Sequence, residues 1–145
     1  MIKYTVSSPQ PNTRWIQIKL EIDNIKGSHY DLQLPAWRPG RYELANFAKN
    51  VSGFEAKGKT ALKFQKITKD LWRIETNGEN KIEINYRYYA VDWNAGSTYT
   101  CEQFLYVNPV NCLMYSPEGI NDACELQIDV PNNFKLAIGE KYEKN

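Results

Sequence analysis

The sequence has 145 residues, enough for one domain with a core that needs no disulfide or metal to be stable. Its 18 basic and 17 acidic residues are interleaved and give a formal net charge of +1, which argues against a nucleic-acid-binding protein. The N-terminus lacks a signal-peptide core, and no apolar run approaches the roughly 20 residues of a membrane span. We therefore expect neither a nucleic-acid nor a membrane partner.

The first clear strand is WIQIKLEID, in which apolar residues alternate strictly with polar ones. The residues expected on its buried face are Ile16, Ile18, Leu20 and Ile22. A strand with one buried and one polar face is typical of an antiparallel sheet.

The next apolar run ends in LPAWRPGRY, a segment that predicts a rigid corner. Pro35 and Pro39 cannot donate a hydrogen bond to a sheet, and Gly40 can adopt a positive φ just before Tyr42. The strand must therefore stop here, and we expect Trp37 to cover the end of the core.

The segment ELANFAKNV, residues 43–51, could hold at most one short helical turn. It is followed by GFEAKGKT, residues 53–60, which matches the phosphate-binding pattern G-x-x-x-x-G-K-[ST]. That loop requires a helix after it, whereas Leu62 and Phe64 alternate with polar residues as in a strand. We therefore reject a phosphate site.

Two glycine-containing turns predict tight hairpins, Lys57-Gly58-Lys59 and Asn77-Gly78. Two further alternating strands follow, KIEINYRYYAV and CELQIDVP. Their expected buried faces carry Ile82, Ile84, Tyr86, Tyr88 and Ala90 in the first, and Cys124, Leu126, Ile128 and Val130 in the second. The sequence thus predicts one all-β domain over residues 1–145, an antiparallel β-sandwich of about eight to eleven strands.

Residues with reactive side chains are few and scattered. Cys101, Cys112 and Cys124 are too widely spaced for a zinc or redox motif, and we expect them to be buried free thiols. His29 is the only histidine and is expected at the surface between two strands. The acids that could act as general acid or base are Asp70, Asp92 and Glu102, and no spacing pairs any two of them. The residues themselves therefore predict no catalytic site and no metal site.

The segment LPAWRPGRYELANFAKNV resembles the signature of the N-terminal domain of the glycyl aminopeptidase family of zinc metallopeptidases. In that family Leu-Pro-x-Trp-x-Pro-Gly-x-Tyr is followed by Phe-Ala-x-x-Val. The stretches YRYYAVDWNAGSTY, FLYVNPVNCLMY and CELQIDVPNNFKLAIG are similar to later strands of the same domain. The resemblance therefore spans nearly all of the chain.

The resemblance implies a non-catalytic β-sandwich that packs on its own catalytic domain and helps to wall the substrate cleft. Zinc is then bound by H-E-x-x-H of that domain, and a PDZ domain usually follows. Neither is present in residues 1–145, so we expect one domain of a longer peptidase, with no cofactor of its own. Its partners are then the catalytic domain directly and the peptide substrate indirectly.

Tyr106 and Asn108 are the candidates for residues that reach the cleft, because an Asn carbonyl can accept a hydrogen bond from a peptide's ammonium group. An Asn-Pro turn formed by Asn108 and Pro109 is the alternative. The sequence departs from the family at Ala45-Asn46, where many members have an Arg-acidic pair, and at 94–97, where many have Ser-Val-Arg. Ion pairing at those positions is therefore in doubt.

A different class of function is a free-standing module that binds a glycan or a protein through exposed aromatic residues. The aromatic residues near turns are Trp37, Trp93, Tyr99 and Tyr106. A docking domain should expose one broad apolar patch, whereas a carbohydrate module should expose a narrow aromatic platform beside polar groups. An independent enzyme is the least favoured hypothesis.

Overall fold

A computed structural model describes residues 1–143 and contains ten strands, one four-residue α-helix and two short 3-10 helices. The all-β prediction is confirmed, as is a helical turn within residues 43–51. The strands are β1 Ile2–Ser7, β2 Trp15–Asp23, β3 His29–Gln33, β4 Val51–Lys57, β5 Phe64–Thr68, β6 Leu71–Glu75, β7 Lys81–Tyr89, β8 Tyr99–Thr100, β9 Leu105–Tyr106 and β10 Cys124–Asp129. The helix α1 is Pro109–Cys112, and the 3-10 helices are Pro11–Thr13 and Phe47–Asn50.

The strands form a five-stranded sheet in the order β10-β1-β2-β7-β4, a three-stranded sheet β3-β6-β5 and a small ribbon β8-β9. All pairs are antiparallel except β1 and β10, which run parallel. The sheet architecture thus agrees with the prediction, with one parallel pair at its edge. Among residues 1–143, no helix is both long and apolar enough to span a membrane.

The two larger sheets share one core, because their alternating strands place apolar side chains on the same side. The predicted inner faces of β2 and β7 are confirmed, since every one of their predicted residues is buried. Phe54 of β4 stacks on Trp72 of β6 at a centroid distance of 5.5 Å and on Tyr86 of β7 at 6.3 Å. These contacts join the two sheets into a β-sandwich.

Two buried tyrosines hold residues 112–114 against the five-stranded sheet. The Tyr4 hydroxyl donates to the carbonyl of Met114 at 2.8 Å, and the Tyr86 hydroxyl donates to that of Cys112 at 2.6 Å. Tyr86 also accepts from the Met114 N–H at 3.1 Å. Burial raises the pKa of Tyr86 well above its usual value, so the phenol stays protonated and keeps donating.

The hairpin prediction at Asn77-Gly78 is wrong, and the one at Lys57-Gly58-Lys59 holds only for a single antiparallel bridge, because each turn carries the chain from one sheet to the other. Asn77 and Gly78 have φ of 51° and 77°, which fits a tight turn, but β6 and β7 lie in different sheets. After Lys57 one bridge to Ala61 forms, and the chain then leaves for β5. Antiparallel pairs of consecutive strands form instead at β1–β2, β5–β6 and β8–β9. Turn residues specify a local reversal, and they do not specify which sheet each strand joins.

The predicted buried face of β10 is also wrong. Cys124 is exposed, and Leu126 retains 41% of its accessible surface. The reason is that β10 is the edge strand of its sheet, where Leu126 and Ile128 line an open cavity and lie outside the core shared by the two sheets.

The prediction of buried thiols holds for one cysteine of the three. Cys112 is fully buried, which raises the pKa of its thiol to about 12 and keeps it protonated at neutral pH. Cys101 is half-buried and Cys124 is exposed, and all three thiols are free.

Candidate functional site

The corner after β3 is a tight turn over residues 38–41. The Arg41 N–H donates to the Arg38 carbonyl at 3.3 Å, with Pro39 and Gly40 at the two central positions. Gly40 has φ of +86°, the positive value predicted for it. Proline followed by a residue with positive φ is the pattern of a type II turn. The sequence therefore fixes the shape of this corner.

Trp37 closes this corner and does not cover the end of the core, so that prediction is wrong. Its indole N–H donates to the Arg41 carbonyl at 2.7 Å, and 50% of the residue is exposed. Leu34, which is fully buried, ends the core in its place. Tyr42 and Leu44 project into solvent beyond the turn.

A second turn, residues 94–97, is built around the buried Gly96. The Gly96 N–H donates to the Asn94 side-chain oxygen at 2.9 Å. The Gly96 carbonyl accepts from the amide groups of Asn111 at 3.0 Å and Asn108 at 3.2 Å. All backbone polar groups of this glycine are therefore held by asparagine side chains.

Arg38 reaches from the first turn to the second. Its guanidinium lies so close to Gly96 that a Cβ atom on residue 96 would collide with it. A side chain at residue 96 would therefore have to displace the flexible end of Arg38, while the φ of Gly96 is not in the left-handed region. This contact joins two segments that are far apart in the sequence.

Tyr106 and Asn108, the two predicted cleft residues, meet Arg38 at the same turn. The Tyr106 hydroxyl donates to the Ala95 carbonyl at 3.4 Å, and Asn108 binds the neighbouring Gly96 carbonyl. Tyr106 is 44% exposed and Asn108 is half-buried. We call Arg38, Gly96, Tyr106 and Asn108 the Gly96 cluster. A role for Tyr106 and Asn108 in a substrate cleft stays a prediction.

The structure also agrees with the alternative prediction that Asn108 is a turn residue. Asn108 precedes α1, whose first residue is Pro109, and its carbonyl accepts from the Asn111 N–H at 3.0 Å. The Asn108 N–H donates to the Thr98 hydroxyl oxygen at 3.0 Å. Its backbone is thus fixed at the start of the helix, while its side chain holds Gly96.

Asn111 supports the cluster, and the sequence analysis missed it. The residue is fully buried, donates to Gly96, and accepts from the Thr98 hydroxyl at 3.1 Å. An uncharged polar residue within the apolar run VNCLMY was the available signal, because buried polar groups are nearly always hydrogen-bonded.

An aromatic group lies beside the cluster. The ring of Trp93 lies 4.9 Å from that of Tyr99 and 5.3 Å from that of Phe104, centroid to centroid. Trp93 keeps 69% of its surface exposed. Phe104 and Tyr106 continue this group into an apolar cavity of about 650 Å³.

The cavity lies between β10, the segment 104–107 and the chain after β10. Its walls are mostly aliphatic and aromatic, and its residues include Phe104, Tyr106, Leu126, Ile128, Leu136 and Ile138. We call these six residues together with Trp93 the apolar face.

The remaining candidate residues form no site. His29 is exposed and hydrogen-bonded to Ser28 at 2.9 Å. Asp70 accepts from the Thr68 hydroxyl at 2.9 Å, and Asp92 and Glu102 are exposed. In the described part of the chain, no three His, Cys, Asp or Glu residues are grouped as metal ligands.

The segment 53–60 has none of the geometry of a phosphate loop. Its first residues lie in β4, an antiparallel strand, and Ala61 after it pairs with Lys57. The rejection of a phosphate site agrees with this structure, because backbone N–H groups at a helix start are absent here.

A comparison with known protein families gives a match that covers almost the whole chain. The family described as the Peptidase M61 N-terminal domain matches residues 3–145. No curated protein matches the chain significantly.

The fold is also similar to part of a larger solved structure. The crystal structure of an aminopeptidase N family protein from Idiomarina loihiensis aligns with a TM-score of 0.84 at 23% sequence identity. The alignment covers 92% of this chain and 22% of that chain. At this identity the similarity is one of fold, and the chain spans only a small share of that structure.

Proposed function

The chain belongs to the Peptidase M61 N-terminal domain family, and from this premise we propose that it is the non-catalytic β-sandwich of a zinc-dependent aminopeptidase resembling glycyl aminopeptidase. In the longer protein, residues 1–145 form one domain that packs on the catalytic domain. The same domain helps to wall the cleft in which the peptide substrate binds.

The observation that carries this proposal is the apolar face. Its residues are apolar, and all except the half-buried Ile128 keep 37–69% of their surface exposed. They are contiguous through Phe104 and Tyr106, which line the cavity. A contiguous apolar patch of this kind on a soluble domain marks an interaction site. Burial of the patch against a neighbouring domain would stabilise the pair by roughly 25 cal/mol for each Å² of apolar surface.

The Gly96 cluster is placed at the edge of this face. Tyr106 belongs to both, since it lines the cavity and also donates to the Ala95 carbonyl. A catalytic domain docked on the apolar face would therefore border Tyr106 and Asn108. This position supports a role for the two residues in the cleft wall.

The zinc of the proposed peptidase is held by the catalytic domain. His29 is the only histidine of the sequence, and no metal-ligand group is present among residues 1–143. Residues of this chain therefore do not fit a zinc site, and the domain contributes shape and contacts.

A glycan-binding module is supported by the exposure of Trp93, but its surroundings fit this role less well. Its ring contacts Tyr99 and Phe104, and the surface continues into an apolar cavity. Trp37 uses its indole N–H within its own turn. A sugar site needs polar groups beside an aromatic platform, and the apolar face offers few.

Replacing Phe104 with aspartate in the full-length gene product is expected to undock the N-terminal domain. A carboxylate in a buried apolar interface is poorly solvated, so docking should weaken at least about tenfold, or 1.4 kcal/mol. Calorimetry should then show the N-terminal domain unfolding as a separate transition. Phe104 is 37% exposed and its ring packs on Trp93 and Tyr99, so the domain itself should also lose some stability.

The matched control is Gln65→Asp, an exposed position on β5 in the other sheet. Calorimetry of this control variant should show the same unfolding transitions as the unchanged protein. If Phe104→Asp also behaves like the unchanged protein, the apolar face is not the docking surface.

A further inference from the structure

Arg38 differs from the other arginines of the chain in its lack of a partner. Arg73 is bound by both oxygens of Asp31, at 2.8 and 2.7 Å, and Arg41 pairs with Glu43 at 3.7 Å. The guanidinium of Arg14 lies 5.1 Å from the Tyr99 ring and that of Arg87 lies 4.6 Å from the Trp15 ring.

Within residues 1–143, the Arg38 guanidinium forms no ion pair and no hydrogen bond, and it contacts no aromatic ring. It is nevertheless half-buried and packed against Gly96. A partly desolvated cation is costly unless an anion pairs with it. Its five N–H donors form a planar fork that matches the two oxygens of a carboxylate.

We propose that Arg38 binds a peptide carboxylate at the Gly96 cluster. The absence of a Cβ on Gly96 admits the guanidinium, and the asparagine amides that hold Gly96 fix its position. The inference rests on the proposed function only in taking a peptide as the ligand, because the site itself follows from the contacts of Arg38.

The neighbouring groups suit the end of a peptide chain. The Asn108 NH₂ group is committed to the Gly96 carbonyl, so its side-chain oxygen remains free to accept a peptide N–H. The Tyr106 hydroxyl, which is exposed, is a further polar group at the same turn. A cation contacting Gly96 disfavours an ammonium group beside Asn108. The carboxylate end of a peptide is therefore the ligand end that we infer for this cluster.

The test is a titration of the chain, followed by NMR of backbone amides and arginine side chains, with acetyl-Gly-Gly and with its C-terminal amide. The carboxylate form should shift the Arg38 Nε–H and Gly96 N–H signals, and the amide form should bind at least about tenfold more weakly. Acetyl-Glu-amide forms a third arm, which separates a side-chain carboxylate from a terminal one.

Arg38→Gln should abolish the preference for the carboxylate form. Arg41→Gln is the matched control, since Arg41 lies in the same turn and pairs with Glu43, and it should leave binding unchanged. Gly96→Ala should weaken binding while keeping the net charge, because the added methyl displaces the guanidinium.

Equal binding of the two peptide forms, retained binding in Arg38→Gln, or no shift at Gly96 at the highest soluble peptide concentration would each overturn the proposal. None of these results bears on docking through Phe104, which calorimetry measures separately. Failure of the carboxylate site and failure of the proposed function are therefore distinguishable.

Discussion

Trp72→Ala is expected to lower the free energy of unfolding by about 3–5 kcal/mol, the cost of deleting a large buried aromatic side chain. Trp72 is 2% exposed and stacks on Phe54 of the facing sheet. The ammonium of Lys66 lies 4.5 Å from its ring centroid. Removing the indole therefore leaves a cavity where the two sheets meet. Urea unfolding followed by far-UV circular dichroism measures the loss.

Trp93→Ala is the matched control for this variant, because Trp93 is the same residue type at the surface. It should cost less than about 1 kcal/mol, since mutations at exposed positions rarely cost more. Equal losses in the two variants would mean that the sheets do not pack across Trp72, and the sandwich would be wrong.

Tyr86→Phe is expected to cost about 1–3 kcal/mol, because it leaves two buried backbone groups without a partner. These are the Cys112 carbonyl and the Met114 N–H, which the hydroxyl binds at 2.6 and 3.1 Å. Cys112 is the last residue of α1 and Met114 follows it closely, and α1 also carries Asn111, which donates to Gly96. We therefore expect shifts of the Gly96 amide signal as well as a lower midpoint in urea.

The pH dependence gives this variant a second readout. The pKa of Tyr86 is higher in the folded chain than the ordinary value of 10.0. The contribution of the protonated Tyr86 hydroxyl to the free energy of unfolding is therefore fully present below pH 10. It is lost above pH 10, because the tyrosine ionises in the unfolded chain before it ionises in the folded one. Above pH 10, the free energy of unfolding should therefore fall less steeply with pH in Tyr86→Phe than in the unchanged protein.

Tyr89→Phe is the control for Tyr86→Phe, since Tyr89 lies on the same strand with its side chain exposed and packed on Trp15. Its effect should stay within about 0.5 kcal/mol. If Tyr86→Phe is equally mild, its hydroxyl does not hold residues 112–114.

The parts of the fold that the sequence predicted are those set by local rules. Alternation specified the buried faces of β2 and β7, and Pro39-Gly40 specified a turn with positive φ. Strand pairing failed where it depends on distant residues. The Asn77-Gly78 turn has the predicted conformation, yet its flanking strands enter different sheets. The alternation in β10 predicted which side of the strand is apolar, but alternation does not specify whether the rest of the fold covers that side.

The candidate site shows the same limit. The resemblance to a known family pointed to Tyr106 and Asn108. In the structure, the side chains of both residues donate hydrogen bonds to carbonyl groups of the turn 94–97. The parts that the sequence missed, Arg38 on Gly96 and Asn111 beneath it, connect segments that only tertiary folding brings together. Residues 94–97 differ from the sequence that many family members have there, and in the structure this segment contains Gly96, beside which the Arg38 guanidinium lies.

The central claim is that these residues form the accessory domain of a metallopeptidase. The most direct test is to translate the reading frame beyond the codon for Asn145. We predict an open frame that encodes H-E-x-x-H on a helical segment, the two histidines and glutamate of a zinc peptidase. A stop codon directly after Asn145 would contradict the claim and favour a free-standing binding module.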